Sequence, residues 1–186
     1  MLGLRTLGVS GSPRQGGNTD DAVMEALAVA QQTGCRVEFQ RLTDYQIKHC
    51  TGCRGCMTAG RCVIRDDEFE AAFQPWRQAE VIILGSPVYW LSPSGVLKDF
   101  IDRTHGWYRD GGIFRHKRAI LISVATGGGF EPHDECITVW LKHYGAEVLS
   151  VVHVLARERG EFLARPAEIE KVRQALSAAL SAIGRD

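Results

Sequence analysis

Four cysteines fall within thirteen residues, as Cys50-x2-Cys53-x2-Cys56-x5-Cys62. A thiolate is a soft, strong metal ligand, and four of them on one short loop can reach a single centre. The crowding of the first three resembles the ligand run of a 4Fe-4S ferredoxin. Structural zinc usually draws on two separated Cys pairs, so this run, with Gly52 and Gly55 between its ligands, suits zinc less well. A loop without metal, zinc and a regulatory disulfide stand as alternatives. His49 adjoins the first cysteine and could tune or gate it. His105, His116, His133, His143 and His153 show no ligand spacing, and all six histidines are read as non-catalytic. Cys35 and Cys136 fall at a strand start and on the apolar face of a helix, where a thiol packs as a small hydrophobe.

A second constellation is Ser10-Gly11-Ser12-Pro13-Arg14-Gln15-Gly16-Gly17-Asn18-Thr19, between an apolar run and a helical pattern. Glycines there let the backbone approach an anion, and the amides at a helix start can hold it. Ser10, Ser12, Asn18 and Thr19 offer neutral donors, and Arg14 a charged one. The loop is neither G-x-x-x-x-G-K-[ST] nor G-x-G-x-x-G, so one terminal phosphate fits better than a triphosphate or a pyrophosphate. Asp20 and Asp21 stand in the first helical turn, where they compete with a bound anion, and Arg14 is the expected offset. Two further loops carry chemistry. Ser86-Pro87-Val88-Tyr89-Trp90 offers aromatic surface and backbone polar groups to a flat heterocycle, and Thr126-Gly127-Gly128-Gly129 lets main-chain amides approach a ring edge. Trp107, Tyr108 and Gly111-Gly112 could cover such a ring, or form a subunit interface.

The elements that must position these loops alternate along the chain. Leu4 to Ser10 reads as a strand, and from Thr19 the residues Ala22, Val23, Ala26, Leu27 and Ala30 recur at helical spacing until Gly34. Val37 to Leu42 is a second strand, followed by the irregular cysteine segment. Asp66 is the expected cap of a helix with Asp67 and Glu68 in its first turn. Ala79 to Gly85 is apolar enough for a strand buried on both faces. Ser92-Pro93 reads as cap and first residue of the next helix, with Val96, Leu97, Phe100, Ile101 and Thr104 inward. Arg118 to Ala125 is a fourth strand, a helix through Cys136, Trp140 and Tyr144 ends at Gly145, Val148 to Leu155 is a fifth strand, and Pro166 opens a last helix. Such alternation predicts an α/β three-layer fold, a parallel sheet of order 2-1-3-4-5 with helices on both faces. Ligands of that architecture sit beyond the carboxyl ends of the strands, where all three loops emerge.

Composition narrows the function classes. At 186 residues, 45% hydrophobic and 24% charged, the chain suits a single domain over 1–186, with the cysteine-rich loop at about 48–65. Twenty-two basic and twenty-two acidic residues cancel, which leaves no basic stripe for nucleic acid and no polybasic run for a membrane. No apolar run is long enough to span a bilayer and no signal-peptide pattern is read, so a reducing, cytoplasmic compartment is the expectation.

Taken together in this order, GVSGSPRQGGNT, HCTGCRGCMTAGRCVIRDD and SPVYW resemble the NAD(P)H-dependent FMN reductase and iron-sulfur flavoprotein group of flavodoxin-like proteins, over nearly the whole chain. The resemblance implies FMN, with phosphate contacts at Ser10, Ser12, Arg14, Asn18 and Thr19. Its ring contacts would come from Pro87, Val88, Tyr89, Trp90, Thr126, Gly127 and Gly128. It implies a 4Fe-4S cluster on Cys50, Cys53, Cys56 and Cys62 or, as in other members, a similar loop without one. Leu97-Lys98-Asp99-Phe100-Ile101-Asp102-Arg103 resembles the group's following helix, with Asp102 and Arg103 read as a surface or subunit-contact ion pair. The implied activity is an FMN-dependent oxidoreductase in which the flavin, not a side chain, does the chemistry. NAD(P)H or ferredoxin would be the donor, a flavin or quinone the small-molecule acceptor, and the assembly a homodimer or homotetramer. The alternative is an electron carrier or thiol redox sensor without its own turnover.

Overall fold

The computed structural model describes residues 3–184. Five strands, β1 (Arg5–Ser10), β2 (Arg36–Arg41), β3 (Val81–Pro87), β4 (Arg118–Ala125) and β5 (Glu147–Leu155), form one sheet of order β2-β1-β3-β4-β5. Every pairing is parallel, as the flavodoxin-like order predicts. The helices are α1 (Asn18–Gln32), the four-residue turn α2 (Cys56–Ala59), α3 (Phe69–Gln78), α4 (Gly95–Arg103), α5 (Phe130–His143) and α6 (Pro166–Ile183). Among the described residues no helix is long and apolar enough to cross a membrane.

The two faces of the sheet are filled differently. Under α1 and α6 the core is aliphatic, built on Val81, Ile83, Ile120, Ile122, Val154, Val172 and Leu176. Under α3, α4 and α5 it is aromatic, with Phe69, Phe73, Trp76, Phe100, Phe114 and Trp140 in mutual ring contact. A Cβ on Gly85 would stand 2.4 Å from Val23 and 2.9 Å from Thr19. Glycine at this point lets the first turns of α1 lie directly on β3, which fixes the loop between β1 and α1 against the sheet edge.

Two helix starts differ from the sequence expectation. α3 begins at Phe69, not behind an Asp66 cap, because the carboxylate of Asp67 is taken by Arg103 and by the Phe69 N–H, and Asp66 pairs with Lys48 at the surface. α4 is capped by Ser94, whose Oγ accepts from the Leu97 N–H at 3.2 Å and donates to the Gly11 carbonyl. Ser92 is unavailable as a cap because its backbone closes a turn with Tyr89.

Candidate functional site

Loops from four strands meet at the carboxyl edge of the sheet. Ser12, Arg14, Asn18, Thr19, Pro87, Val88, Tyr89 and Thr126 line one cleft, together with Gly17, Val124, Ala125, Ala156 and Arg157. Ser10, Trp90, Gly127 and Gly128 are not among its lining residues. Ser10 is fully buried beneath the loop, where its Oγ accepts from the Ser12 N–H at 3.3 Å, and Ser12 Oγ accepts from the Arg14 N–H at 3.1 Å. These serines therefore shape the loop backbone, which leaves the first amides of α1, at Asn18 and Thr19, without intrahelical acceptors at the cleft.

Asn18 has a structural task as well. Its Nδ2 donates to the Glu158 carbonyl at 2.8 Å and its Oδ1 accepts from the Phe162 N–H at 3.1 Å. The side chain thus ties the first loop to the segment between β5 and α6, which supplies Ala156 and Arg157 to the cleft. That segment was not among the predicted contacts. The rule that strand ends line the cleft, applied to β5, points to it. The acidic first turn is neutralised differently from expectation. Asp20, 1% exposed, accepts from Arg41 Nε at 2.6 Å and from the Gly16 N–H at 2.8 Å. Arg41 of β2, not Arg14, is its counter-ion, and Arg14 instead reaches the Arg157 carbonyl at 3.4 Å. Burial, followed by the charge of Asp20, pushes the Asp21 carboxyl up against the opposing pull of Arg159.

On the other wall, Val88 N–H donates to the Val124 carbonyl at 2.8 Å and joins the loop after β3 to the end of β4. Tyr89 and Ser92 exchange backbone hydrogen bonds of 2.9 and 3.0 Å around Trp90 and Leu91, which hold φ of 49° and 62°. A two-residue turn with both φ positive suits Asn-Gly, and here it holds two large apolar residues, with Trp90 99% exposed at the rim. Around Gly127 and Gly128 a Cβ would meet nothing within 4 Å. Trp107 does not cover the cleft. It stacks on Phe73 at 4.6 Å, held by the aromatic core, while Tyr108 stacks on His143 at 4.6 Å, at the far end of α5.

The four cysteines of the run line a separate, small apolar recess with Val63, Ile64, Arg103, His105 and Gly106. The loop leaves the carboxyl end of β2 and then packs along α4. That helix starts beside Gly11 and ends beside Cys62, roughly 13 Å away at a rise of 1.5 Å per residue over its nine residues. The recess and the cleft share no lining residue. Four thiols around an apolar recess suit a thiolate-bound cluster as a donor set. Among the described residues, however, no three His, Cys, Asp or Glu side chains are gathered to hold a metal ion. The Gly55 N–H, then the Thr51 hydroxyl, hold the exposed Cys53 thiol below the usual thiol range.

Arg103, the last residue of α4, is the anchor of this loop that sequence reading missed. It is not a surface partner of Asp102, which pairs with Lys98 one turn away at 2.6 Å. Its guanidinium is fully buried over the Phe69 ring and forks onto Asp67. It also donates to the Lys48 carbonyl at 2.9 Å, the Ile64 carbonyl at 3.1 Å and Cys62 Sγ at 3.1 Å. One side chain thereby fastens both ends of the cysteine loop.

Two histidines also meet where no spacing suggested it. Ser86, Ser123 and His153 are register partners across β3, β4 and β5. Over them lies His133 of α5, fully buried, with Nε2 2.9 Å from Ser86 Oγ and Nδ1 3.0 Å from Asp134 Oδ1. Asp134 Oδ2 stands 2.6 Å from Nε2 of the half-exposed His153. Burial alone would push the Asp134 carboxyl up. Hydrogen bonds from His133, Ser123 and His153, with the charge of His153, hold it below the ordinary range.

Comparison with known proteins places this geometry. The family model described as NADPH-dependent FMN reductase matches residues 4–160. An iron-sulfur flavoprotein of Methanocaldococcus jannaschii is 38% identical over 130 residues, 69% of this chain and 66% of that protein, so the chain spans just under two thirds of its relative's length. Among solved structures, RosB with bound 8-demethyl-8-formylriboflavin-5'-phosphate superposes with a TM-score of 0.75 at 15% identity, covering 94% of this chain and 76% of RosB. The apo form of the NADH:FMN oxidoreductase EMOB superposes with a TM-score of 0.71 at 17% identity, covering 96% of this chain and 89% of that one.

Proposed function

Because the chain belongs to the NADPH-dependent FMN reductase family, we propose that its carboxyl-edge cleft binds FMN and that the protein is an oxidoreductase using NAD(P)H as donor. The observation that carries the reading is the convergence of eight residues from three predicted loops on one cleft at the start of α1. The amides of Asn18 and Thr19, with Arg14, would hold the phosphate. Pro87, Val88, Tyr89 and Thr126 would face the ring. When bound, FMN accepts a hydride and passes electrons on singly or in pairs. The chain's own part is to fix the cofactor's orientation and leave its outer face open to a small acceptor such as a quinone or free flavin. We propose a homodimer or homotetramer as the assembly.

Purified protein should take up one FMN per chain and, under anaerobic conditions, its yellow colour should bleach on addition of NADPH. A preparation that takes up no FMN would overturn the reading. Gly127 gives a finer check. Space around it is open, so Gly127→Ala should leave the unfolding midpoint of the apo protein unchanged. If the ring edge lies against this backbone, FMN affinity should fall about tenfold, roughly 1.4 kcal/mol, in a fluorescence titration.

A second reading adds a 4Fe-4S cluster on Cys50, Cys53, Cys56 and Cys62, with ferredoxin as an electron partner. The apolar recess that all four thiols line favours it. Iron and sulfide analysis of anaerobically prepared protein tests this directly, with about four of each expected per chain.

A further inference from the structure

Neutral imidazole carries its proton on one nitrogen only, and the nitrogen that holds it is set by the partners of both. At His133 those partners are unequal. Nδ1 stands 3.0 Å from Asp134 Oδ1 and 3.2 Å from Ser123 Oγ, whose hydroxyl hydrogen is given to that same Oδ1, so no donor is left for an Nδ1 lone pair and the ionised carboxylate would repel it. The neutral ring therefore carries its proton on Nδ1, and Nε2 accepts from the Ser86 hydroxyl at 2.9 Å. Ser86 Oγ has a second acceptor in reach, the Pro87 carbonyl at 3.3 Å. When Nε2 gains a proton, it becomes the donor to Ser86 Oγ, and the single hydroxyl hydrogen must turn to Pro87. The proton comes from hydronium in the solvent, so one O–H bond breaks as one N–H bond forms, the site gains one positive charge and no oxidation state changes.

We propose that His133 is a positioning residue of the cofactor cleft, acting through Ser86 on the Pro87 carbonyl, and that its proton state sets which way the Ser86 hydroxyl points. Asp134, between two imidazoles, supplies the counter-charge that a buried imidazolium needs. Of the titratable groups on the packed elements, Asp134 of α5 and His153 of β5 are the ones in contact with this network. β3 and β4 bring only the hydroxyls of Ser86 and Ser123. On α4, Lys98 and Asp102 pair with each other and bear on Cys136. Pro87 and Val88 line the cleft, so a turn of the Ser86 hydroxyl toward the Pro87 carbonyl bears on the cleft wall. Only the consequence for FMN affinity rests on the function proposed above.

Nitrogen-15 NMR of the apo protein between about pH 5 and 9 tests the switch. The His133 ring should be protonated on Nδ1 at high pH and on both nitrogens at low pH, and the Val88 amide should shift with the same midpoint. In Ser86→Ala the ring should still titrate while the Val88 response falls to less than about a third. An Nε2-protonated ring at high pH, no proton uptake across the range, or a Val88 response that persists in Ser86→Ala would overturn the proposal. The ring state and the shared midpoint are read on the native chain, so the result stands even if the variant fails to fold. FMN affinity on the same samples should change several-fold across the midpoint in native protein and stay flat in Ser86→Ala. Protein that takes up no FMN while ring and amide titrate together would overturn the function of the cleft and leave the switch standing.

Discussion

Arg103→Met should lower the unfolding free energy by about 3–5 kcal/mol in urea titrations, the largest single-residue effect expected outside the aromatic core. The loss does not come from removing an attraction alone. Methionine leaves the Asp67 carboxylate, 2% exposed, without its fork, and leaves the Lys48 and Ile64 carbonyls without a donor. Burial alone would raise the Asp67 carboxyl. The hydrogen bonds from Arg103 and from the Lys48 and Phe69 N–H groups, with the charge of Arg103, bring it below its ordinary value instead. A depressed carboxylate stabilises the fold above its unfolded pKa of about 4 and loses that contribution as pH falls through the folded value. The native protein should therefore weaken below about pH 4, and Arg103→Met should flatten that dependence. Adding Asp67→Leu should recover much of the loss, since a pair of apolar residues removes the orphaned charge. The rate at which Cys62 reacts with a disulfide reagent should change in the single variant, because Arg103 Nε no longer donates to its sulfur. A single variant as stable as native protein, with unchanged thiol reactivity, would show that the cysteine loop is fastened elsewhere.

Asn18→Ala should show the second largest effect, and on two readouts at once. The carboxamide is 7% exposed and bonded at both ends. Its removal strands the buried Phe162 N–H, at a cost of about 1–3 kcal/mol, and takes the donor from the carbonyl of the exposed Glu158, which water can serve instead. The same change frees the β5–α6 segment that carries Arg157 into the cleft, so FMN affinity should fall by more than about tenfold, or 1.4 kcal/mol. Asn18→Asp separates the two ends. Its Oδ1 can still accept from Phe162, but the second oxygen faces the Glu158 carbonyl and is repelled. An alanine variant that weakens FMN without any loss of stability would mark Asn18 as a direct phosphate contact rather than a brace.

The sheet order was legible because it follows from local signals repeated five times: apolar strand, carboxyl-edge loop, amphipathic helix. The fourth strand was bounded to the residue, and the others to within one or two residues. What local signals could not convey was competition between distant groups. Asp66 looked like a cap because its neighbour Asp67 was free to be a first-turn acid, and Arg103, thirty-six residues on, changes that. Asp102 and Arg103 cannot pair with each other, since adjacent residues do not face each other on a helix, whereas Lys98 and Asp102 do. Asn18 and Asp20 carried the right chemistry for the first loop, but their partners lie on β2 and beyond β5. His133 and His153 are twenty residues apart, and only the register of β4 with β5 brings them to one carboxylate.

The turn at Trp90 and Leu91 has a consequence for anyone who would engineer this chain. Left-handed backbone costs an ordinary L-residue about 1–2 kcal/mol, so two in succession make this turn a place where stability has been given up. A redesign guided by thermal tolerance alone would install Asn-Gly there and gain both increments. It would also strip from the mouth of the cleft the indole that stands 99% in water. Heat resistance and rim chemistry thus pull in opposite directions over two adjacent residues, and libraries selected on melting temperature will drift away from whatever Trp90 meets.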